Sequence, residues 1–85
     1  MSEVVIKEIG GISFSLKLFP AMVGLNVIGR LEREGMAGEV IREVIVKGAS
    51  RGSVAITEKS FDSLFAGKYK EMMELFAEIL KYNNL

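Results

Sequence analysis

The chain has 85 residues, of which 49% are hydrophobic and 26% are charged, with 11 basic and 11 acidic side chains. This composition is typical of one small globular domain. The zero net charge argues against nucleic-acid binding and against electrostatic binding to an anionic membrane, both of which favour basic surfaces. The absence of cysteine and histidine removes disulfides, thiolate chemistry, the usual general base and the commonest zinc ligand.

The N-terminal segment, MSEVVIKEIGG, does not have a basic region followed by an apolar stretch of signal-peptide length. No apolar run in the chain is long enough to cross a bilayer. We therefore expect a soluble chain that stays in the compartment where it is made.

Residues 3–18 predict a β-hairpin. Two apolar-rich runs flank Gly10-Gly11, a pair suited to the positive φ angles of a two-residue turn, which would set Val5 opposite Leu16. Apolar and polar side chains alternate in the second run, so we expect one face of this strand to be core. The expected core positions of the second strand are Ile12, Phe14, Leu16 and Leu18.

A first helix is predicted over about residues 20–34. Pro20 suits its first turn, and Gly35 can end it in a left-handed conformation. Two apolar positions, Val23 and Val27, fall outside the face that we expect to be core. That expected core face consists of Ala21, Leu25, Ile28 and Leu31.

A second helix is predicted over about residues 37–47. Its charged residues include Glu43 and Lys47, a favourable pair at a spacing of four. Many of its apolar residues are β-branched, which lowers helix propensity, so tertiary packing must stabilise it. Its apolar stripe consists of Ala37, Val40, Ile41, Val44 and Ile45.

The segment GASRGS, residues 48–53, is expected to be a loop, and residues 53–57 are a candidate third strand beside the hairpin. Ser60 is expected to cap a final helix over about residues 60–83. Gly67 interrupts that helix while the apolar stripe stays in phase. The sequence is therefore consistent with one helix strained at Gly67 or with two segments joined by a tight bend.

The predicted fold class is α+β. We expect a single small domain over residues 1–85, in which the N-terminal hairpin, with the candidate third strand, packs on three helices. The last of these is a long amphipathic C-terminal helix.

The sequence offers little catalytic chemistry. Glu71, Glu74 and Glu78 are interspersed with lysines opposite the apolar stripe of the last helix, as on a solvated helix face. The loop KGASRGS does not have the spacing of a phosphate-binding loop and follows a helix pattern instead of a strand. We therefore expect no enzyme activity, no cofactor and no metal site.

Interaction with a partner is the better hypothesis, because the apolar arcs on the helices are wider than one small core can cover. Methionines add flexible side chains that suit adaptable hydrophobic surfaces. We expect the stripe of the final helix to serve both as core and as partner-binding surface. Its predicted partner-binding residues are Phe61, Leu64, Phe65, Met72, Met73, Phe76, Ile79 and Leu80.

Two segments, LFPAMVGLNVIGRL (residues 18–31) and FDSLFAGKYKEMMELFAEILKYN (residues 61–83), carry an ordered set of residues. Together they resemble the early segment and the closing signature of bacteriophage tail assembly chaperones. The matching positions of the early segment are Pro20, Ala21, Gly24, Leu25, Arg30 and Leu31. Those of the closing signature are Phe61, Asp62, Phe65, Ala66, Gly67, Leu75, Leu80 and Asn83.

The resemblance implies a non-enzymatic, homo-oligomeric protein of the bacterial host cytoplasm. Such chaperones coat the long, aggregation-prone tape measure protein until the tail tube polymerises around it, and they are absent from the mature virion. Many also exist in a longer form, made by translational frameshifting, whose added domain contacts the tail tube protein.

Two other functions are compatible with parts of the sequence. One is a small self-associating structural or accessory subunit of a phage particle, in which the same apolar surface makes a permanent symmetric interface. The other is a DNA-binding regulator. It is disfavoured because Glu32 and Glu34 interrupt the basic pair Arg30 and Arg33.

Overall fold

The computed structural model describes residues 5–85, so the predicted hairpin positions Glu3 and Val4 lie outside the described residues. Within this range there are four strands and four helices, and the strands form one antiparallel sheet in the order β1-β2-β3-β4. The predicted α+β class is confirmed. The elements are β1 (Val5–Ile9), β2 (Ile12–Leu16), α1 (Ala21–Glu34), α2 (Gly38–Gly48), β3 (Ala49–Arg51), β4 (Val54–Ala55), α3 (Glu58–Phe65) and α4 (Tyr69–Tyr82).

The hairpin forms in the predicted register. Gly10 and Gly11 have φ angles of 59° and 82°, the positive values that a two-residue turn of this type needs. Val5 pairs with Leu16 across the two strands. The alternation of apolar and polar residues in β2 fixes this register, because a shift of one residue would turn the apolar side chains of β2 to solvent.

Leu18 was predicted as a core position, and this was wrong: its side chain is 65% exposed. The strand ends at Leu16, and the backbone N–H of Lys17 donates to the carbonyl oxygen of Gly48 at 2.8 Å. The alternation of inward and outward side chains therefore stops two residues before Leu18.

The predicted loop at residues 48–53 is also wrong, because Ala49–Arg51 form β3 and pair with β2. Glycine and serine usually indicate a loop, but small side chains also let a strand lie close beneath a helix. Here Ala49 and Ser50 are buried. The candidate third strand at residues 53–57 is reduced to Val54–Ala55, which pairs with β3 and not with the hairpin.

The start of α3 is set by a capping box. The Ser60 backbone N–H donates to Thr57 Oγ1 at 3.0 Å, and the Thr57 backbone N–H donates to Ser60 Oγ at 2.8 Å. Thr57 is thus the N-cap, and Ser60, predicted as the cap, is the third residue of the helix. The two hydroxyl residues satisfy each other, a signal that the sequence analysis missed.

The final helix is two helices. α3 ends at Phe65, Gly67 adopts a φ of 73°, and α4 begins at Tyr69. A positive φ cannot continue a right-handed helix, and glycine adopts it without steric cost. The three predicted helices therefore become four.

The centre of the fold is α2, which packs against α1, α3, α4 and β3. Its predicted stripe is confirmed, with four residues buried and Ala37 half-buried. The Lys47 Nζ lies 3.9 Å from Glu43 Oε2, as expected from their spacing. The buried residues of α2 are Val40, Ile41, Val44, Ile45 and Gly48.

The last residue of α2 is where the backbone approaches α4 most closely. A Cβ atom placed on Gly48 would overlap Ile79 Cγ2 and would lie 3.2 Å from Phe19 Cε1. Gly48 is buried and Ile79 is 0% exposed, so the Ile79 side chain cannot move aside into solvent. Only glycine lets α2 and α4 pack at this separation.

We predict that Gly48→Ala lowers the free energy of unfolding by about 1–3 kcal/mol, because overpacking forces the backbone or Ile79 to shift. Gly38→Ala is the matched control, since an added Cβ there meets no described atom within 4 Å. The control should be neutral or slightly stabilising, since alanine favours helix. Chemical denaturation measures both, and equal stability of the two variants would contradict the packing described at Gly48.

Candidate interaction surface

The partner-binding residues predicted on the last helix divide into two groups of four. Phe61, Phe65, Phe76 and Ile79 are buried, and Phe65 stacks on Phe14 of the sheet with ring centroids 6.1 Å apart. These four side chains are core in the folded chain and present little surface to a partner. The other four are half-buried, and partner binding through them stays a prediction: Leu64, Met72, Met73 and Leu80.

Leu75, which is not among the predicted partner-binding residues, is also part of the core. Its side chain is fully buried, on the same side of α4 as Met72 and Ile79. On one continuous helix Leu75 would lie about 40° from Phe61 and Ile79, so the same apolar stripe accounts for its burial. The surplus apolar surface therefore lies elsewhere.

Exposed large apolar side chains occur singly on β1, β4 and α4, but three lie together on the outer side of α1. Met22, Leu25 and Ile28 are 67%, 59% and 38% exposed, and Ala21 is exposed beside them. Spacings of three and four residues place these four side chains together on one side of the helix. We call this set the α1 face.

The predicted core side of α1 is corrected by this arrangement. Ala21, Leu25 and Ile28 were expected in the core and Val27 outside it, whereas Val27 is 1% exposed and the other three are exposed to solvent. The apolar arc of α1 spans both sets, since successive residues turn by about 100°. Periodicity alone could not decide which half would be buried.

An ion pair accompanies this rotation of α1. Arg30 Nη1 donates to Glu43 Oε1 on α2 at 2.6 Å, and the two side chains are only partly exposed. Arg30 lies on the same side of α1 as Val23 and Val27, because the spacings are three, four and seven residues. The ion pair and the burial of Val27 therefore favour the same rotation, which leaves the α1 face outward.

Glu34 orients the same guanidinium. Its carboxylate accepts from Arg30 Nε at 3.1 Å. This hydrogen bond raises the pKa of Arg30 above its ordinary value and lowers the pKa of Glu34. Glu34 therefore contributes to stability above the ordinary carboxyl pKa, and the contribution is lost as the pH falls through its lowered value.

The end of α4 borders the α1 face. Asn84 has a φ of 66°, its N–H donates to the Lys81 carbonyl, and the Leu85 N–H donates to the Leu80 carbonyl at 2.9 Å. These two bonds form a Schellman motif. The motif directs Leu85 to α1, where it lines one shallow groove with Leu25 and Ile28, of about 360 Å³.

Asn83 fixes the position of this motif. Its Oδ1 accepts from the backbone N–H of Phe19 at 2.7 Å, and its Nδ2 donates to the carbonyls of Lys17 and Ile79 at 3.1 and 3.0 Å. One side chain thus joins the end of α4 to the segment that leads into α1. Sequence reasoning assigned no structural role to Asn83, because Lys17 and Phe19 are more than sixty residues away from it.

A second apolar groove, lined in part by Leu31 and Leu85, adjoins the first at Ile28, whereas the other grooves of the described residues are more polar. One of these polar grooves lies between α1, α2 and α3 and is lined mainly by charged residues, including Arg42, which lies 3.7 Å from Glu58. Within residues 5–85 no group of three acidic side chains is placed to hold a metal ion. None of the helices described is long and apolar enough to cross a membrane. The α1 face is therefore the candidate interaction surface.

Comparison of the chain with protein-family models, with curated proteins and with solved structures finds no significant match. A function is therefore inferred from the residues of this chain and from the resemblance of its two segments.

We predict that Asn83→Ala lowers the free energy of unfolding by about 1–3 kcal/mol, because it leaves backbone groups of Lys17 and Phe19 without their partner. The matched control is Asn26→Ala, at an exposed position of α1, which should change stability by less than about 0.5 kcal/mol. Denaturation midpoints test both variants. A midpoint for Asn83→Ala equal to that of the control would show that the hydrogen bonds of the Asn83 side chain contribute nothing to stability.

Proposed function

We propose that this chain is a non-enzymatic tail assembly chaperone of a bacteriophage or prophage. It binds the tape measure protein in the cytoplasm of the bacterial host and keeps it soluble while the tail tube assembles. It acts as a homo-oligomer and is absent from the mature virion. A longer form made by frameshifting would add contacts to the tail tube protein.

The exposed apolar side of α1 is the observation that carries this proposal. A helix of a small protein normally turns its apolar side inward, yet Met22 and Leu25 are more than half exposed. The α1 face also lies within the LFPAMVGLNVIGRL segment that resembles the chaperone family.

The chemistry of the face suits a helical client. An amphipathic helix can lay its apolar stripe along Leu25 and Ile28, with Leu85 closing one side of the groove. Met22 supplies a flexible side chain that adapts to different apolar residues along a long client. A chaperone that coats a long helical protein needs this tolerance more than it needs one specific contact.

The first test is co-expression of the chain with the tape measure protein of a tailed phage. The proposal predicts that the client becomes soluble and co-purifies with the chain. A client that stays insoluble and unbound contradicts it and favours the self-associating structural subunit. Detection of the chain in purified particles would also favour that alternative.

We predict that Leu25→Asp weakens client binding at least about tenfold, because a carboxylate in the apolar contact must be desolvated without a partner. Asn26→Asp, which adds the same charge at the neighbouring exposed position, should bind as the unchanged chain does. Titration of each folded variant against a soluble client segment measures the difference. Equal weakening by both substitutions would indicate long-range charge repulsion and not contact at the α1 face.

Phe76→Asp distinguishes a core from a binding role for α4. The side chain is 2% exposed, so the substitution places a charge in the core and should unfold the domain, at a cost of about 3 kcal/mol or more. Circular dichroism and thermal melting test this. A stably folded Phe76→Asp variant that fails to bind the client would return the interface to the final helix, as the sequence predicted.

A further inference from the structure

The apolar residues of α3 and α4 lie in one phase across the bend between the two helices. If residues 58–82 formed one straight helix, at about 100° per residue, the buried apolar side chains would fall within about 100° of arc. A bend places no such requirement on the sequence, since each helix can adopt its own rotation. The buried side chains in this common arc are Phe61, Phe65, Leu75, Phe76 and Ile79.

The bend itself is confined to three exposed residues. Ala66 has a ψ of 122°, Gly67 a φ of 73°, and Lys68 a ψ of 49°, and each value departs from helical geometry. A Cβ atom on Gly67 would meet no described atom within 4 Å, so an alanine at this position would oppose the bend through its φ angle and not through a steric clash with neighbouring residues. The Lys68 N–H donates to the Phe65 carbonyl, three residues earlier, at 2.9 Å, and this hydrogen bond closes the turn between the two helices.

We propose that this bend is a hinge through which two copies of the chain exchange α4. In the exchanged dimer residues 58–82 of each copy form one helix of about 38 Å. The α4 of each copy then packs on the α2 and the sheet of the other. The occupant of the α4 site is a second copy of this chain, because only that copy reproduces the contacts of the site. The proposal is independent of the proposed function.

The contacts that hold α4 are available for this exchange without alteration. Ile79 packs on Gly48, Asn83 bonds the backbone of Lys17 and Phe19, and Glu78 lies 3.5 Å from Lys7. In the dimer the same pairs form between copies, so the core is conserved and only the hinge changes. Exchange of this kind is a low-cost route to a dimer when a short hinge can extend.

The hinge region gains contacts when it straightens. In the exchanged dimer the two straight helices would pass each other at the two-fold axis near Ala66 and Gly67. The methyl group of Ala66 and the absence of a side chain on Gly67 permit close approach there. Tyr69 is 68% exposed in the single chain and would lie beside this new helix–helix contact. Those added contacts exist only between two copies.

Two substitutions shift the exchange in opposite directions. Gly67→Ala opposes the positive φ of the bend and favours helix, so the dimer association constant should rise at least about tenfold. Tyr69→Pro fits the first turn of α4 in the bent form but breaks a continuous helix, so this variant should stay monomeric. Tyr69→Ala is the control for loss of the side chain. Light scattering after size exclusion, from micromolar to millimolar concentration, measures all four chains.

A crosslink distinguishes exchange from side-by-side association. Isotope-labelled and unlabelled full-length chains are unfolded together, refolded at millimolar concentration and treated with a carbodiimide, which joins Lys7 Nζ to the Glu78 carboxylate. Exchange predicts Lys7–Glu78 peptides that pair labelled with unlabelled chains in the dimer fraction. Dimers whose Lys7–Glu78 crosslinks are all within one chain would overturn the proposal.

If Gly67→Ala fails to fold, the unchanged chain and Tyr69→Pro still test the exchange of α4. The unchanged chain should form some exchanged dimer on refolding at millimolar concentration, and Tyr69→Pro should abolish that dimer. A chain that is monomeric at every concentration would overturn the proposal, and so would dimerisation that survives Tyr69→Pro.

Discussion

The contact between the Gly48 backbone and Ile79 is the constraint on which the rest of the fold depends. The last residue of α2, Gly48, lies against α4, and the next residue, Ala49, is buried and begins strand β3 of the sheet. The Gly48 carbonyl accepts the N–H of Lys17, which joins this point to the end of β2. One position without a side chain therefore brings α2, α4 and two strands together, and a larger residue there would separate all of them.

Part of the apolar surface of α1 stays outside this core. The apolar arc of α1 is too wide for one interface, so Val27 is buried while Leu25 and Ile28, in the other half, face solvent. Arg30 bonds Glu43 across the contact between α1 and α2, on the same side as Val27, and favours the same rotation. The apolar residues left exposed in this way are the basis of the proposed chaperone role.

The parts of the fold that the sequence predicted are those set by local patterns. The hairpin register follows from Gly10-Gly11 and the alternation in β2, and the buried side of α2 follows from a narrow apolar stripe. The candidate site was less predictable. The side of α1 that is buried depends on its tertiary packing against α2, and β3 is specified by its backbone pairing with β2 instead of by a side-chain pattern. Half of the binding residues predicted on the last helix are apolar because they fill the core. The apolar pattern of the sequence cannot separate such core residues from residues that bind a partner.

The most direct test of this account is a methyl NMR comparison of the folded chain, labelled at isoleucine, leucine and valine, before and after addition of a soluble tape measure segment. The account predicts that the signals of Leu25 and Ile28 shift while those of the buried Leu75 and Ile79 stay in place. Shifts confined to Leu64 and Leu80, with Leu25 and Ile28 unchanged, would contradict it. Binding would then belong to the half-buried edge of the last two helices.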